Sequence, residues 1–248
     1  MSEEPQYHLQ LRRGDVGRYV LLPGDPGRCE PIAALFDSAE HVASNREYTT
    51  YTGLLNGEKV SVVSTGIGCP SAAIAVEELI KIGADTFIRV GTSGAIQPDT
   101  PNGALAVVTG AIRDEGTSSH YLPIEFPAVA DPQVVDALAT AARRLKIPHM
   151  LGVSQSKDSF YGETEPERMP LAGRLADRWN AWIGGGAICS EMEASAIFVI
   201  ASIHRVRAGG VMQMHSGDGT VDRKLLLGSA VEALRVLIEA DRNQQQWP

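Results

Sequence analysis

The stretch Cys189-Ser190-Glu191-Met192-Glu193-Ala194-Ser195 sets two carboxylates on either side of a methionine at the mouth of an apolar run. A helix starting after Gly184-Gly185-Gly186 would welcome one acid in its first turn, where the amide dipoles leave partial positive charge. Such a role accounts for Glu193 alone and poorly for the pair. Three other stretches carry glycine beside basic or hydroxyl residues: Pro23-Gly24-Asp25-Pro26-Gly27-Arg28, Ser64-Thr65-Gly66-Ile67-Gly68-Cys69-Pro70-Ser71 and Arg89-Val90-Gly91-Thr92-Ser93-Gly94-Ala95. Glycine lets backbone amides approach an anion closely, and arginine presents forked donors matched to phosphate oxygens. Singly, Gly24, Gly68 and Gly91 need be no more than tight turns. With Arg28 and Arg89 beside them, an anion becomes the better account. Arg89 stands on the apolar run Phe87-Ile88-Arg89-Val90, where a guanidinium is costly unless a charge or several acceptors meet it. A structural salt bridge would satisfy it too.

These residues need elements to place them. Short β-branched or apolar runs alternate with longer helical segments, which predicts an α/β domain with a mixed or largely parallel sheet, and no repeat or linker divides residues 1–248. Strands are expected at Tyr19–Leu22, on both sides of the hairpin dipeptide Asn56-Gly57 within 48–64, at Thr86–Val90, Leu105–Thr109 and Leu151–Ser156, and near Val211. Helices are expected at Arg28–Leu35, Ser71–Ile82 with Ser71 as cap, Pro132–Leu145, Leu171–Trp182, from the acidic pair through Ile203, and from Arg223 to about Asp241, with a frayed QQQWP tail. The three glycine stretches then fall in turns beyond strand ends, where open α/β sheets bind ligands.

The thirty acidic and 22 basic residues give a formal net charge of -8, the wrong sign for general attraction to nucleic acid or an anionic membrane. No apolar run approaches the roughly 20 residues that span a bilayer, and the polar N-terminus lacks a secretion signal's pattern. Cys29, Cys69 and Cys189 are too few and scattered for a disulfide framework or a paired-cysteine zinc site. The expectation is a soluble, cytoplasmic protein with reduced thiols. Gly66-Ile67-Gly68 lacks the third glycine of a dinucleotide fingerprint, since position 71 is serine, and no Walker lysine follows. A small phosphate fits these loops better than a nucleoside triphosphate.

Six collinear motifs, PGDPGR, SNREYTTYTG (44–53), STGIGCPSAAIAVEEL (64–79), RVGTSGAIQ (89–97), DSFYG (158–162) and SEMEAS (190–195), resemble the nucleoside phosphorylase superfamily, in its uridine-cleaving branch. The resemblance runs from Tyr7 to about Gly210. It implies a partly barrel-like mixed sheet flanked by helices, and phosphorolysis of a nucleoside in pyrimidine salvage. It implies a phosphate site of Gly24, Arg28, Arg89 and Thr92 with Arg46 lent by a neighbouring subunit, and His8 reaching the partner's ribose 5′-hydroxyl. It implies a homo-oligomer of dimers, such as a hexamer, with shared sites. Met192 and Glu193 would contact the ribose, and Glu191 would line it. That is sound chemistry, because a carboxylate accepts from both hydroxyls of a vicinal diol and a thioether packs on the sugar's apolar face.

For the base, the resemblance implies Phe160 as the stacking ring and Arg168 as a reader of uracil. The accompanying glutamine is missing, and Glu163 takes its place. A glutamine amide both donates and accepts, whereas an ionised glutamate only accepts. Glu163 therefore welcomes a ring N–H and repels a carbonyl unless it is protonated, turned away, or matched to another base; a solvated loop position is the plain alternative. Val211 to Asp218 departs from the family pattern, so neither His215 nor Asp218 inherits a role. Glu47, Ile67 and Ser71 match a monovalent-cation site (K⁺) between subunits, with no other cofactor required. The histidines His8, His41, His120, His149, His204 and His215 show no metal-ligand spacing. The competing readings are a phosphorylase of altered base choice, a water-using nucleosidase, and a nucleoside-binding protein without turnover.

Overall fold

The apolar alternation does build strands and helices, and a computed structural model describes residues 4–217 and 220–245. In chain order they are β1 (Tyr19–Pro23), α1 (Cys29–Ala33), β2 (Ser38–Asn45), β3 (Tyr48–Leu55), β4 (Glu58–Val63), α2 (Cys69–Lys81), β5 (Thr86–Ala95), β6 (Leu105–Asp114), β7 (Ala128–Val129), α3 (Pro132–Arg144), β8 (His149–Lys157), α4 (Phe160–Thr164), α5 (Ala172–Gly184), β9 (Cys189–Glu191), α6 (Ala194–His204), β10 (Arg207–His215) and α7 (Arg223–Gln245). All the strands join one mixed sheet, in the order β10-β6-β8-β9-β5-β1-β4-β3-β2 with β7 on β6. A further pairing of β10 with β5 closes β5, β10, β6, β8 and β9 into a ring, the partly barrel-like arrangement expected of the fold.

Two apolar layers hold the sheet. Beneath α2 and α6 lie Val76, Leu79, Ile197 and Phe198, and on the opposite side α1, α3 and α7 bury Ile32, Leu138 and Leu234. Helix α6 is buried along Ala194 to Ala201, which suits its uniformly apolar sequence. Asp131 caps α3 by accepting from the amides of Gln133 and Val134 at 2.9 and 3.2 Å. Asn56 and Gly57 take positive φ of 50° and 77° in the turn joining β3 to β4, as a two-residue hairpin requires. No helix among the described residues is long and apolar enough to cross a membrane.

Several expected boundaries move, and each shift bears on the site. Arg89 to Ala95 is not a turn: β5 continues through it because β10 pairs with it from Thr86 to Gly94 and β9 pairs with Gly94 and Ala95. Glu191 is not in a helix's first turn but ends strand β9, held by β5 and β8, and α6 starts at Ala194. Ser71 does not cap α2; Gly68 occupies the cap position and Ser71 lies inside the first turn. The helix expected over Arg28–Leu35 is only α1, preceded by a 3₁₀ turn at Pro26–Arg28. Strand β2 carries little apolar signal because it lies at the exposed sheet edge. Gln244 and Gln245 close α7, while the rest of the tail expected to fray, 246–248, lies outside the described residues, as does Asp218.

Candidate active site

Strands β1 and β5 run parallel, with Leu22 beside Arg89 and Pro23 beside Val90, so the turn after β1 meets the middle of β5. This brings Gly24 against the Arg89 guanidinium: a methyl group at Gly24 would sit 3.3 Å from both terminal nitrogens. Arg89 is buried to 5% exposure and donates to the carbonyls of Leu22 and Val90 at 3.2 and 3.4 Å and to the Glu193 carboxylate. Arg28 reaches over from the 3₁₀ turn to Thr92, Nη2 to Oγ1 3.4 Å, and Asp25 lies 3.8 Å from its Nε. Burial pulls the Arg28 guanidinium below its ordinary pKa, and the charges of Arg223 and Arg89 pull the same way. The Nε atoms of both Arg28 and Arg89 are buried without a hydrogen-bond partner among the described residues. Two half-satisfied guanidiniums facing a glycine backbone form a cradle for a multivalent oxyanion.

Glu193 joins this cradle to the second half of the site. At 2% exposure, it accepts from Arg89 and from the Gly68 amide, Oε1 to N 2.7 Å. Gly68 adopts φ 96°, ψ 157°, a backbone conformation that costs a side-chain-bearing residue dearly and turns this N–H toward the carboxylate. Glu191, 3% exposed, is spent internally: it accepts from the amides of Glu193 and Ala194 at 2.8 Å each and from the Ser156 and Ser154 hydroxyls. Burial and then the nearby Glu193 charge raise its pKa. Glu191 thus caps α6 from the end of β9 and fixes the backbone that carries Met192 and Glu193. Met192 is half-buried, and its carbonyl accepts from the Cys69 thiol at 3.2 Å. Burial pushes the Cys69 thiol up, which keeps it protonated beside the site.

Beyond β9 the polar chain continues. Lys157, at the end of β8 and 7% exposed, donates to Glu163 Oε1 at 2.7 Å and to Ser190 Oγ at 2.5 Å. The Ser190 hydroxyl stands 2.8 Å from Glu163 Oε2 and 2.7 Å from Gln155 Oε1, so its one proton can serve either. Ser190 lies opposite Gly94 in the β5–β9 pairing, two residues along from Thr92. Phe160, 54% exposed, stands with its ring centroid 5.9 Å from Lys157 Nζ. A cavity of about 430 Å³ opens here, walled by Gln155, Lys157, Glu163, Leu175, Trp179 and Trp182 among others.

Of the residues expected from sequence, Gly24, Arg28, Arg89, Thr92, Glu191, Met192 and Glu193 converge, while Phe160 and Glu163 stand on the other side of β9, Glu163 tied to it through Ser190 and Phe160 beside Lys157. Arg168 does not join them: its side chain is 67% exposed and paired with Glu165. Arg46 is exposed at the β2–β3 turn, where it takes φ 55°, and makes no side-chain hydrogen bond or ion pair among the described residues. His8 is held by Glu78, Nδ1 to Oε1 2.7 Å, and Glu78 also accepts from the His8 and Leu9 amides. The Ser71 hydroxyl donates to Glu47 at 2.7 Å, which lowers the Glu47 pKa, and Ile67 nearby is 77% exposed. These oxygen donors suit a hard monovalent cation, and no cluster of three His, Cys, Asp or Glu among the described residues suits a transition metal. His215 ends β10 opposite Gly94.

Sequence reasoning missed Lys157 and Arg223. Lys157 was hidden because a lysine at the end of a predicted strand reads as solvated, and only the β8–β9 pairing turns it inward. Arg223 starts α7, far along the chain from Arg28, and nothing local announces that the two charges meet.

The chain is similar to known proteins along most of its length. The family model described as "Phosphorylase superfamily" matches residues 18–238. A uridine phosphorylase of Treponema pallidum is 49% identical over 97% of both chains. A uridine phosphorylase of Thermococcus kodakarensis is 43% identical over 99% of this chain and 91% of its own. A guanosine phosphorylase of Halorubrum lacusprofundi is 40% identical over 92% of this chain and 87% of its own. With two buried, half-satisfied arginines at an oxyanion cradle and near-complete alignment to such relatives, the chain belongs to the phosphorylase superfamily.

Proposed function

We propose that the protein cleaves the N-glycosidic bond of uridine with inorganic phosphate, releasing uracil and ribose 1-phosphate, as a step of pyrimidine salvage in the cytoplasm. The observation that carries the reading is the pair of guanidiniums gathered at the glycine turn, Arg89 against Gly24 and Arg28 on Thr92, a set of forked cationic donors that suits a phosphate dianion and that a neutral water nucleophile does not call for. Gly24, Thr92 and the Arg223 charge complete the anion's surroundings. The uridine phosphorylases among its relatives favour uridine as the nucleoside.

In this reaction a phosphate oxygen forms a bond to C1′ as the C1′–N bond breaks; the electron pair leaves with the base, which takes up a proton. The transition state has oxocarbenium character, like that of glycoside hydrolysis. Arg28 and Arg89 hold the nucleophile under the sugar, and that positioning supplies much of the rate. Glu193 is the ribose-hydroxyl acceptor, with Met192 against the ring and Glu191 behind it as a wall. Because Glu193 binds Arg89 as well as the sugar, the two substrates meet on one ion pair. Phe160 stacks on the base. Negative charge gathering on the base is met by Lys157, a preplaced donor in a buried setting. Arg168 would have to leave Glu165 to take part.

Two further elements of the reading involve a second copy of the chain. Arg46, with its unengaged guanidinium, completes the neighbour's phosphate site, and His8 meets the neighbour's 5′-hydroxyl, in a homo-oligomer built from dimers, a hexamer by the family's pattern. A potassium ion between subunits is held by Glu47, Ser71 and the Ile67 carbonyl as a structural element. The deciding experiment follows uracil release from uridine with and without phosphate and identifies the sugar product. Ribose 1-phosphate formed only with phosphate is expected; equal rates without phosphate, giving free ribose, would replace the reading with a nucleosidase.

A further inference from the structure

We infer that the Lys157–Glu163 pair makes the base end of this site a reader of the lactam edge, so that the protein cleaves guanosine as well as uridine. The inference rests on the phosphorolytic reading above for the reaction, and on the geometry of the pair for the substrate.

The argument is one of donors and acceptors. An ammonium has three protons and a carboxylate about four acceptor positions. Among the described residues, Lys157 spends two protons, on Glu163 Oε1 and on Ser190 Oγ, and keeps one. Glu163 spends one position on Lys157 and faces Ser190 with the other oxygen, so each carboxylate oxygen keeps a free lone pair. The pair therefore offers one cationic donor beside two anionic acceptors, in a site where the side chains are only 9% and 15% exposed. Lys157 also keeps Glu163 from turning away.

Guanine presents the complement along one edge: the O6 acceptor, then the N1–H and exocyclic N2–H donors. Hypoxanthine offers O6 and N1–H without the second donor. Uracil offers O4 and N3–H, but its O2 then faces a carboxylate oxygen, so it is accepted with one contact fewer and some repulsion. Adenine and cytosine put an amino group where Lys157 needs an acceptor and a bare ring nitrogen where Glu163 needs a donor, and are refused. A glutamine at 163 would supply one acceptor and one donor, which suits uracil's mixed edge and not guanine's paired donors. The cavity of about 430 Å³ behind the pair, walled in part by Leu175, Trp179 and Trp182, has room for a bicyclic base.

The test compares phosphorolysis of guanosine, inosine, uridine and adenosine by the full chain and by Glu163→Gln. The expected result is cleavage of guanosine with kcat/KM about tenfold or more above inosine, because a buried acceptor built for a donor rejects the analogue lacking it. Adenosine is cleaved least. In Glu163→Gln the guanosine-to-inosine ratio falls to within about twofold and uridine improves. Cleavage of uridine with no cleavage of guanosine, or a ratio unchanged by Glu163→Gln, would overturn the inference while leaving the phosphorolytic reading intact. If no nucleoside shows phosphate dependence, calorimetric binding of free guanine against hypoxanthine still decides: tighter guanine binding that Glu163→Gln removes supports the base assignment, and equal binding overturns it.

Discussion

Replacing Arg89 with alanine tests the centre of the site, because the side chain is asked to do two things at once. It donates to Glu193, to two backbone carbonyls and, in the proposed reaction, to phosphate. The ion pair is buried on both sides, 6% and 2% exposed. Removing one partner of such a pair strands the other charge and costs about 3–5 kcal/mol. The Gly68 amide remains on Glu193 and water can enter the space vacated, so the lower end, about 3 kcal/mol, is the expectation. For a chain of 248 residues that lowers Tm by roughly 6–12 °C. The lost phosphate contact is charge-assisted and worth about 1.5–3 kcal/mol, a loss of roughly 10- to 150-fold in kcat/KM for phosphate beyond any effect of stability. Arg89→Lys keeps the charge but not the fork, so it recovers most of the stability and little of the phosphate use. The assays are a thermal melt and a phosphate titration at saturating uridine. A melt shift with unchanged phosphate dependence would reduce Arg89 to a structural counterion; neither changing would refute the reasoning altogether.

Other consequences follow from the same geometry. The Glu191 pKa is raised from 4.5 by burial and by Glu193, so the folded state holds a proton that the unfolded chain releases. Stability from this group is therefore full below about 4.5 and declines as pH rises through the folded-state value. Glu191→Gln should flatten that part of the Tm–pH profile, and parallel profiles for the two proteins would contradict the assignment. Arg168→Ala should change uridine kcat/KM by less than about threefold, since its side chain is exposed and turned to Glu165, and such surface substitutions shift energies by about 0.5 kcal/mol; a loss above tenfold would mean that Arg168 swings over the base. Arg46→Ala and Arg28→Ala should each lose activity, and mixing the two under subunit exchange should restore part of it. No recovery in the mixture would place Arg46 outside any shared site.

Much of the fold was legible because periodicity and turn chemistry act locally. Asn56-Gly57 makes its hairpin from two residues' backbone preferences, and Asp131-Pro132 starts α3 by capping alone. Strand β2 was invisible because an exposed edge imposes no apolar pattern. The extension of β5 through Gly91-Thr92-Ser93-Gly94 was equally hidden: those residues have weak strand preference, and β10 and β9, more than ninety residues away in the chain, supply their pairing.

The site divides along the same line. By itself, the sequence pointed to an anion site, because two arginines stand beside glycine turns, and the family resemblance gave Glu191 and Glu193 different places at the sugar. Tertiary structure alone decided how those residues are held. It put Glu191 at the end of a strand to cap α6, joined Glu193 to Arg89 across 104 positions of chain, added the Arg223 charge to Arg28, and turned Lys157 inward onto Glu163. The physical reason is range: propensities, caps and turns act over a few residues, whereas the charge a buried group must meet is chosen by whatever strand or helix packs against it.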